Sequence, residues 1–173
     1  ERLWRENRIN AIHEGTNGIQ AIDLLGRKLI SDKGRAFALL TKRVEKTLVS
    51  AHKLETLKPL ADLLEMRWAK FAPALRQAAN VFEKDAELAL ANAYLLLDAM
   101  GHAVVAWLWL DQAVCAEQLL IQNELNESRR NLLKGKIMAA QYFITWELPT
   151  KDSLLERFTA IDPLCRDLDT AVL

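Results

Sequence analysis

The residue with the clearest potential for chemistry is Glu14, a carboxylate that directly precedes a Gly-Thr-Asn-Gly segment. Thr16 or Asn17 can cap a following helix, because a short side-chain oxygen accepts a hydrogen bond from a first-turn amide. Gly15 and Gly18 permit close backbone approach and backbone angles that other residues rarely adopt. The segment therefore predicts an acid held at the positive end of a helix, beside amides able to receive an anion or a carbonyl oxygen.

From the residue types alone, Glu14 has two interpretations. A carboxylate just before a helix is common, because the helix dipole favours it there, and its role is usually structural. A carboxylate with a perturbed pKa at a helix start can also act as a proton acceptor. Both interpretations remain open on this evidence.

The histidines give a weaker case for a metal centre. A di-iron site in a helical bundle needs two Glu-x-x-His motifs, and the three histidines His13, His52 and His102 form none. His52 and Glu55 give one reversed pair on an expected surface. We therefore predict no metal site, and we interpret His102 as a core or interface residue.

The cysteines and tryptophans favour structural roles. Cys115 and Cys165 lie far apart in helical contexts, so a reduced, cytoplasmic compartment is expected rather than a disulfide framework. Cys115 has no helix-start position or neighbouring cation to lower the pKa of its thiol, which favours a small core residue. Core packing is also the prediction for four tryptophans, Trp68, Trp107, Trp109 and Trp146.

Composition predicts a helical protein. The sequence is 51% hydrophobic and 27% charged, with only 6 Gly and 4 Pro among 173 residues, which is typical of an all-α fold. Lys plus Arg equals Asp plus Glu at 23 each, so charge gives no reason to expect nucleic-acid or anionic-membrane binding. The most apolar segment, Ala99 to Leu110, is shorter than the about 20 residues that span a bilayer. We expect a soluble fragment without a secretory leader, since the charged N-terminus lacks both an apolar run and an initiating Met.

Apolar periodicity predicts an antiparallel, four-helix-bundle-like array over about residues 34–147, with an additional N-terminal helix and short C-terminal helices. The additional helix should bury a stripe formed by Ile19, Ile22, Leu25 and Leu29, and it belongs to a neighbouring unit or lies alongside the bundle. The expected helices span about 17–30, 34–54, from Pro59 with a kink or division at Pro73, 86–122 and 127–147.

Residues 14–20, Glu-Gly-Thr-Asn-Gly-Ile-Gln, resemble the segment that bears the catalytic glutamate in acyl-CoA dehydrogenases, where Tyr-Glu-Gly-Thr is followed by Ile-Gln. The close resemblance covers about residues 11–29. A looser one, over most of 30–147, is to the extra C-terminal helical region of the longer members. Together, these resemblances imply that residues 1–31 form the C-terminal end of the catalytic unit and that residues 32–173 form a helical-bundle extension.

The resemblance implies that Glu14 removes the α-proton of an acyl-CoA thioester while the β-hydrogen leaves as hydride to FAD, giving a 2-enoyl-CoA. Because that α-proton is weakly acidic, the carboxylate must be desolvated so that its pKa rises. The amide of Glu14 and a flavin hydroxyl would stabilise the developing enolate oxygen. Glu14 and Gly15 would contact the substrate, whereas Thr16, Asn17 and Gly18 match positions that lie against FAD.

The resemblance has one visible departure and one large omission. His13 stands where the family usually has Tyr, which affects the expected acyl-chain preference and pH dependence. The chain has no room for the helical and β-domains that hold most flavin and CoA contacts in the family, so we expect this fragment alone to be inactive and to bind FAD weakly or not at all. Implied partners of the full-length enzyme are acyl-CoA, an electron-transfer flavoprotein and further copies in a homo-oligomer. The alternative hypothesis is a non-catalytic helical module in which residues 34–173 mediate subunit association.

Overall fold

The computed structural model describes residues 2–12, 15–122, 124–169 and 171, which are helical almost throughout. No β-strand occurs among them, and the all-α prediction is confirmed. Two of the helices continue as π-type segments, and short 3₁₀ turns follow α1 and precede α9. The elements are α1 (Arg2–Glu6) with a 3₁₀ turn (Asn7–Ala11), α2 (Asn17–Ile22) with a π-segment (Asp23–Ile30), α3 (Arg35–Ala51), α4 (Lys58–Trp68), α5 (Phe71–Phe82), α6 (Ala86–Ala91), α7 (Ala93–Gln122), α8 (Glu127–Tyr142) with a π-segment (Phe143–Glu147), a 3₁₀ turn (Leu148–Lys151), α9 (Asp152–Thr159) and α10 (Leu164–Asp167).

Helix α7 is the centre of the bundle, because α2, α3, α4, α8 and α9 all pack against it. Many of its buried residues are alanines, including Ala99, Ala103, Ala106 and Ala113. Small side chains at these positions allow the surrounding helices to approach closely, and larger residues such as Leu110 fill the remaining space. The core is therefore continuous from α2 to α9.

A buried polar network joins α3 to α7. The indole N–H of Trp107 donates to Thr47 Oγ1 at 2.9 Å, and the Thr47 hydroxyl donates to Asp111 Oδ1 at 2.8 Å. Thr47 is only 5% exposed, so these bonds satisfy a polar group that would otherwise be costly to bury. The network links the two helices across a partly buried contact.

Two predicted helices are divided at positions that differ from expectation. The single helix predicted over 86–122 is interrupted at Asn92, where φ is −109° and ψ is 17°. The predicted division at Pro73 instead falls at Ala69 and Lys70. Pro73 lies in the first turn of α5, where the missing proline N–H removes no intrahelical bond. Asp85 caps α6, since its Oδ1 accepts the Leu88 N–H at 2.9 Å.

The predicted apolar stripe of the additional helix is partly wrong. Ile19 and Ile22 are 64% and 49% exposed, whereas Ala21, Leu25 and Leu29 are buried in the common core. The π-type hydrogen bonds after Ile22 widen each turn and keep residues four apart on one side. This helix packs alongside the bundle, while a domain boundary after residue 31 stays a prediction.

The C-terminal helices dock on the bundle as predicted. Phe158 of α9 is fully buried. Arg67 of α4 forms a two-bond ion pair with Asp152, with Nε to Oδ1 at 3.1 Å and Nη2 to Oδ2 at 3.0 Å. Just before the last helix, Asp162 Oδ1 accepts the Leu164 N–H at 2.8 Å. The tail is thus held by apolar burial and by charge pairing.

Two predicted core positions are wrong. Cys115 is exposed, and Trp146 is 71% exposed, although Trp68 is buried as expected. Trp107 and Trp109 are half-buried. Cys115 lies on α7, which is apolar around most of its circumference, so its sequence does not show which side the other helices cover. Trp146 lies instead on the π-segment after α8.

Helix α7 is also longer than the apolar segment recognised in the sequence. Its residues Ala93–Ile121, 29 in all, are long and apolar enough to cross a membrane, with a mean hydropathy of 1.5 over an 18-residue window. One such helix is weak evidence for a span, because the central helix of a helical bundle has the same length and composition. Its packing against five other helices explains the apolar character.

Candidate functional site

The start of α2 places the residues after Glu14 in a capped helix terminus. Thr16 has extended backbone angles, and its Oγ1 accepts the Ile19 N–H at 3.2 Å. The Thr16 carbonyl oxygen accepts the Gln20 N–H, also at 3.2 Å. Of the two capping residues left open by the sequence, Thr16 is the cap and Asn17 is the first helical residue.

The two glycines of this segment are exposed and leave open space around the backbone. A Cβ at Gly18 would have no neighbour within 4 Å, and one at Gly15 would lie 3.7 Å from Gln20 Nε2. Neither has a positive φ; among the glycines of the described residues that angle is found at Gly34. Unusual backbone angles therefore do not explain Gly15 and Gly18, and the described neighbours would leave room for a Cβ at either position.

His13 and Glu14 lie outside the described residues, so the roles assigned to them stay predictions. The nearest described carboxylate on this helix is Asp23, which is paired with two cations. Arg27 Nη2 donates to Asp23 Oδ2 at 3.1 Å, and Lys28 Nζ lies 3.2 Å from the same oxygen. The hydrogen bond from Arg27, with help from Lys28, lowers the pKa of Asp23 to about 2. Asp23 is therefore a poor proton acceptor at neutral pH.

An open groove of about 430 Å³ lies beside this helix start. Asn17 forms one wall, Tyr94, Asp98 and His102 of α7 form another, and Phe143 closes it from the π-segment after α8. The sequence did not predict the groove, because its walls come from elements far apart in the chain. It joins the segment with the predicted catalytic acid to the helical extension.

The polar side of the groove is held by a charged network. His102 Nδ1 lies 3.0 Å from both the carbonyl oxygen and Oδ1 of Asp98, and Lys151 Nζ lies 3.1 Å from Asp98 Oδ2. The His102 ring stacks on Phe143 with centroids 6.2 Å apart. The His102 side chain is 32% exposed, so of the core and interface positions left open by the sequence, it lies at the interface between α7 and the π-segment after α8.

The structure also corrects the pairing of His52. The sequence pairs it with Glu55, but its Nε2 lies 3.0 Å from Asp62 Oδ1 and 3.6 Å from Glu65 Oε2. These carboxylates are on α4, beyond the connection that follows α3. Spacing along one helix gives no sign of such a pairing across two.

Comparison with known proteins assigns most of the chain to one group. Residues 40–169 match the family described as acetyl-CoA dehydrogenase C-terminal like. The chain is 27% identical, over 99% of its length, to a broad-specificity linear acyl-CoA dehydrogenase of Mycobacterium tuberculosis, and covers 29% of that protein. It is 31% identical, over 82% of its length, to a 3-methylmercaptopropionyl-CoA dehydrogenase of Ruegeria pomeroyi, and covers 24% of it.

A third relative is a butyryl-CoA dehydrogenase of Syntrophomonas wolfei, which is 24% identical over 92% of this chain. The chain covers 26% of that protein. It thus spans less than a third of the length of each of these relatives.

Proposed function

The chain belongs to the acyl-CoA dehydrogenase C-terminal family, and from that premise we propose that it supplies the catalytic base of an FAD-dependent acyl-CoA dehydrogenase. The base is Glu14. The reaction is removal of the α-proton of an acyl-CoA thioester with loss of the β-hydrogen as hydride, giving a 2-enoyl-CoA. The observation that carries the proposal is the Glu-Gly-Thr-Asn-Gly-Ile-Gln sequence of residues 14–20, which runs into a capped, exposed helix start.

The residues of the helix start suit this role. Thr16, two residues after Glu14, caps α2 by accepting the Ile19 N–H at 3.2 Å, so the carboxylate precedes a defined helix start in the sequence. First-turn amides have no partner within their own helix and are suited to a developing oxyanion. Asp23, the other acid of this helix, is held ionised by Arg27. These features support Glu14, rather than Asp23, as the group that accepts the proton.

The described residues also fit a bound flavin. Asn17 and Gly18 are exposed, and the open space at Gly18 leaves room for a large planar group to approach the backbone. Bound FAD would supply the acceptor for the β-hydrogen. Thr16, Asn17 and Gly18 would then lie against the cofactor, and the amide of Glu14 would orient the thioester oxygen. The side chain of His13 would shape the pocket next to the base.

The decisive experiment is Glu14→Gln in a full-length enzyme that carries this chain. The change removes the charge and keeps the shape, so turnover with an electron acceptor should fall by about 10²–10⁴-fold. Exchange of the substrate α-proton with D₂O should be lost as well. Asp23→Asn is the matched control, because it neutralises a carboxylate already held by Arg27. Near-normal turnover and α-proton exchange in the Glu14 variant would refute the assignment.

The 173-residue chain by itself should lack dehydrogenase activity and should bind FAD weakly or not at all. The groups that would cover most of the flavin and of the CoA are expected from the rest of a longer polypeptide, since the chain spans under a third of its relatives. Absorbance spectra of the purified chain titrated with FAD test this. A stoichiometric yellow complex would contradict it. The proposed electron acceptor of the full-length enzyme is an electron-transfer flavoprotein, and the proposed location is the cytoplasm.

A role in subunit association is the second candidate function. Helix α8 and its π-segment expose Met138, Tyr142 and Trp146 by 69%, 57% and 71%, on the side away from the buried Ala140 and Ile144. Sedimentation of the chain should then show self-association that Met138→Glu weakens. Leu39→Glu, at a 65% exposed position on α3, is the control. A monomer at every concentration would argue against this role.

A further inference from the structure

A cluster of metal-ligating side chains lies where α3 ends and α4 begins, away from the helix start that carries the proposed activity. His52 follows the last residue of α3, and Asp62 and Glu65 lie three residues apart on α4. Their ligand atoms all lie within 4.8 Å of one another. We propose that His52, Asp62 and Glu65 form a binding site for a divalent transition-metal ion such as Zn²⁺.

The distances suit a single ion. Zn–N and Zn–O bonds of about 2.0–2.2 Å in a tetrahedral arrangement place neighbouring ligand atoms about 3.3–3.6 Å apart. His52 Nε2 lies 3.0 Å from Asp62 Oδ1 and 3.6 Å from Glu65 Oε2. Small side-chain rotations therefore bring all three atoms to bonding distance, with no movement of the helices.

The arrangement of the three ligand atoms also favours a bound cation over two hydrogen bonds from His52. The same atom, Nε2 of His52, faces both carboxylates. One N–H cannot point straight at Asp62 and Glu65 together. With the proton on Nδ1 instead, the Nε2 lone pair and two carboxylate oxygens are three ligands for one ion. One imidazole with two carboxylates matches the nitrogen and oxygen ligands that zinc accepts.

The backbone that carries these ligands is fixed by the core. Ala51, directly before His52, is fully buried. Ala61 and Leu64, which directly precede Asp62 and Glu65 on α4, are fully buried as well. The ligands thus come from rigid helices, which keep their spacing before any ion binds. His52 also lies at the negative end of the α3 dipole, where a positive ion is favoured.

The cluster is open on its solvent side. The side chains of His52, Asp62 and Glu65 are 31%, 60% and 59% exposed, so an ion can enter and water can fill the fourth position. The ion would link α3 to α4 across the connection between them. Its role would be to stabilise this corner of the bundle, independently of acyl-CoA chemistry.

The test is calorimetric titration of the 173-residue chain with ZnCl₂ in a buffer that does not chelate metals. Cys115 and Cys165 are both exposed and are changed to Ser in every variant, because thiolates also bind zinc. We expect one saturable site. His52→Gln, Asp62→Asn and Glu65→Gln should each weaken binding by about tenfold or more. Co²⁺ at the site should give visible absorption bands that the His52 variant lacks.

Two matched controls separate this cluster from general surface binding. Glu55→Gln neutralises a carboxylate near His52 in sequence, and His102→Gln removes a histidine that is paired with a single acid, Asp98. Both should bind Zn²⁺ like the Cys-free parent. Circular dichroism should show unchanged helicity in all variants. The proposal is overturned if no saturable binding occurs below about 1 mM Zn²⁺, or if the controls weaken binding as much as the ligand variants.

Discussion

The start of α2 and the centre of the bundle are held by opposite kinds of contact. Around residues 15–20 the side chains are exposed, and the structure depends on local bonds such as the Thr16 cap. On the inner face of α7, side chains such as Ala106 and Leu110 are buried, and hydrogen bonds join residues far apart in the chain, as between Thr47 and Asp111. The helix start proposed for catalysis is therefore held by fewer tertiary contacts than the bundle on which it packs.

This contrast identifies the inward face of the additional helix as the link between the two regions. Leu25 is fully buried in the common core, while Ile22, one turn earlier, is 49% exposed. Changes to the core-facing residues should destabilise the whole bundle, whereas changes at the helix start should act locally. The following predictions test that difference.

The largest effect is expected for Leu25→Ala. Removing a fully buried leucine side chain leaves a cavity and should lower the free energy of unfolding by about 2–5 kcal/mol. Urea denaturation followed by circular dichroism measures the change. Ile22→Ala should cost about 0.5 kcal/mol or less. Equal losses at the two positions would show that the helix is not anchored by its inward face.

The next effect is expected for Arg67→Ala, which breaks the ion pair that docks α9. The Arg67 side chain is only 11% exposed and makes two bonds to Asp152, so its loss should cost about 1–3 kcal/mol. Arg27→Ala, which breaks an ion pair with a 73% exposed arginine, should cost at most about 1 kcal/mol. Thermal unfolding measures the loss of stability in each variant. A smaller loss for Arg67→Ala than for Arg27→Ala would contradict the role of the Arg67–Asp152 pair.

A smaller and local effect is expected for Thr16→Ala. Loss of the cap should destabilise the start of α2 by about 0.5–2 kcal/mol, with little change in global unfolding. Hydrogen exchange of the Ile19 amide measures it, because that N–H bonds to Thr16 Oγ1. Thr16→Ser keeps the hydroxyl and should retain protection. Equal exchange in the two variants would mean that the cap does not hold the helix start.

The smallest effect concerns pH. Because the folded-state pKa of Asp23 is lowered to about 2 from 3.8, mainly by the hydrogen bond from Arg27, its pairing stabilises the folded chain above the unfolded value of 3.8. That contribution is lost as pH falls from 3.8 through about 2. NMR titration of the Asp23 carboxyl carbon measures the folded value. Arg27→Gln should return it towards 3.8, and an unchanged midpoint would contradict the pairing.

The residues differ in how far the sequence predicted their surroundings. The caps at Thr16 and Asp85 were predictable, because each depends on a hydrogen bond to an amide three residues away. The family resemblance, confirmed by the comparisons, also depends on contiguous residues. The exposure of Cys115 was not predictable, because it depends on which face of the long apolar helix α7 is covered.

His52 shows the same limit for a candidate site. Its neighbours in sequence suggested Glu55, but packing of α4 against α3 brings Asp62 and Glu65 to it. Pairings across two helices depend on crossing angle and register, which are set by the fit of buried side chains. No local pattern encodes them.

By itself, the sequence determined the all-α class, most helix ends and the capped segment after Glu14, because these depend on local propensity, capping and periodicity. Only the tertiary structure decided that Ala21, Leu25 and Leu29 face the core. It also decided that Asn17 and His102 share a groove and that His52 meets two carboxylates of α4. The reason is physical: apolar surface is buried wherever the whole set of helices packs most closely, and that choice is made by contacts between distant residues.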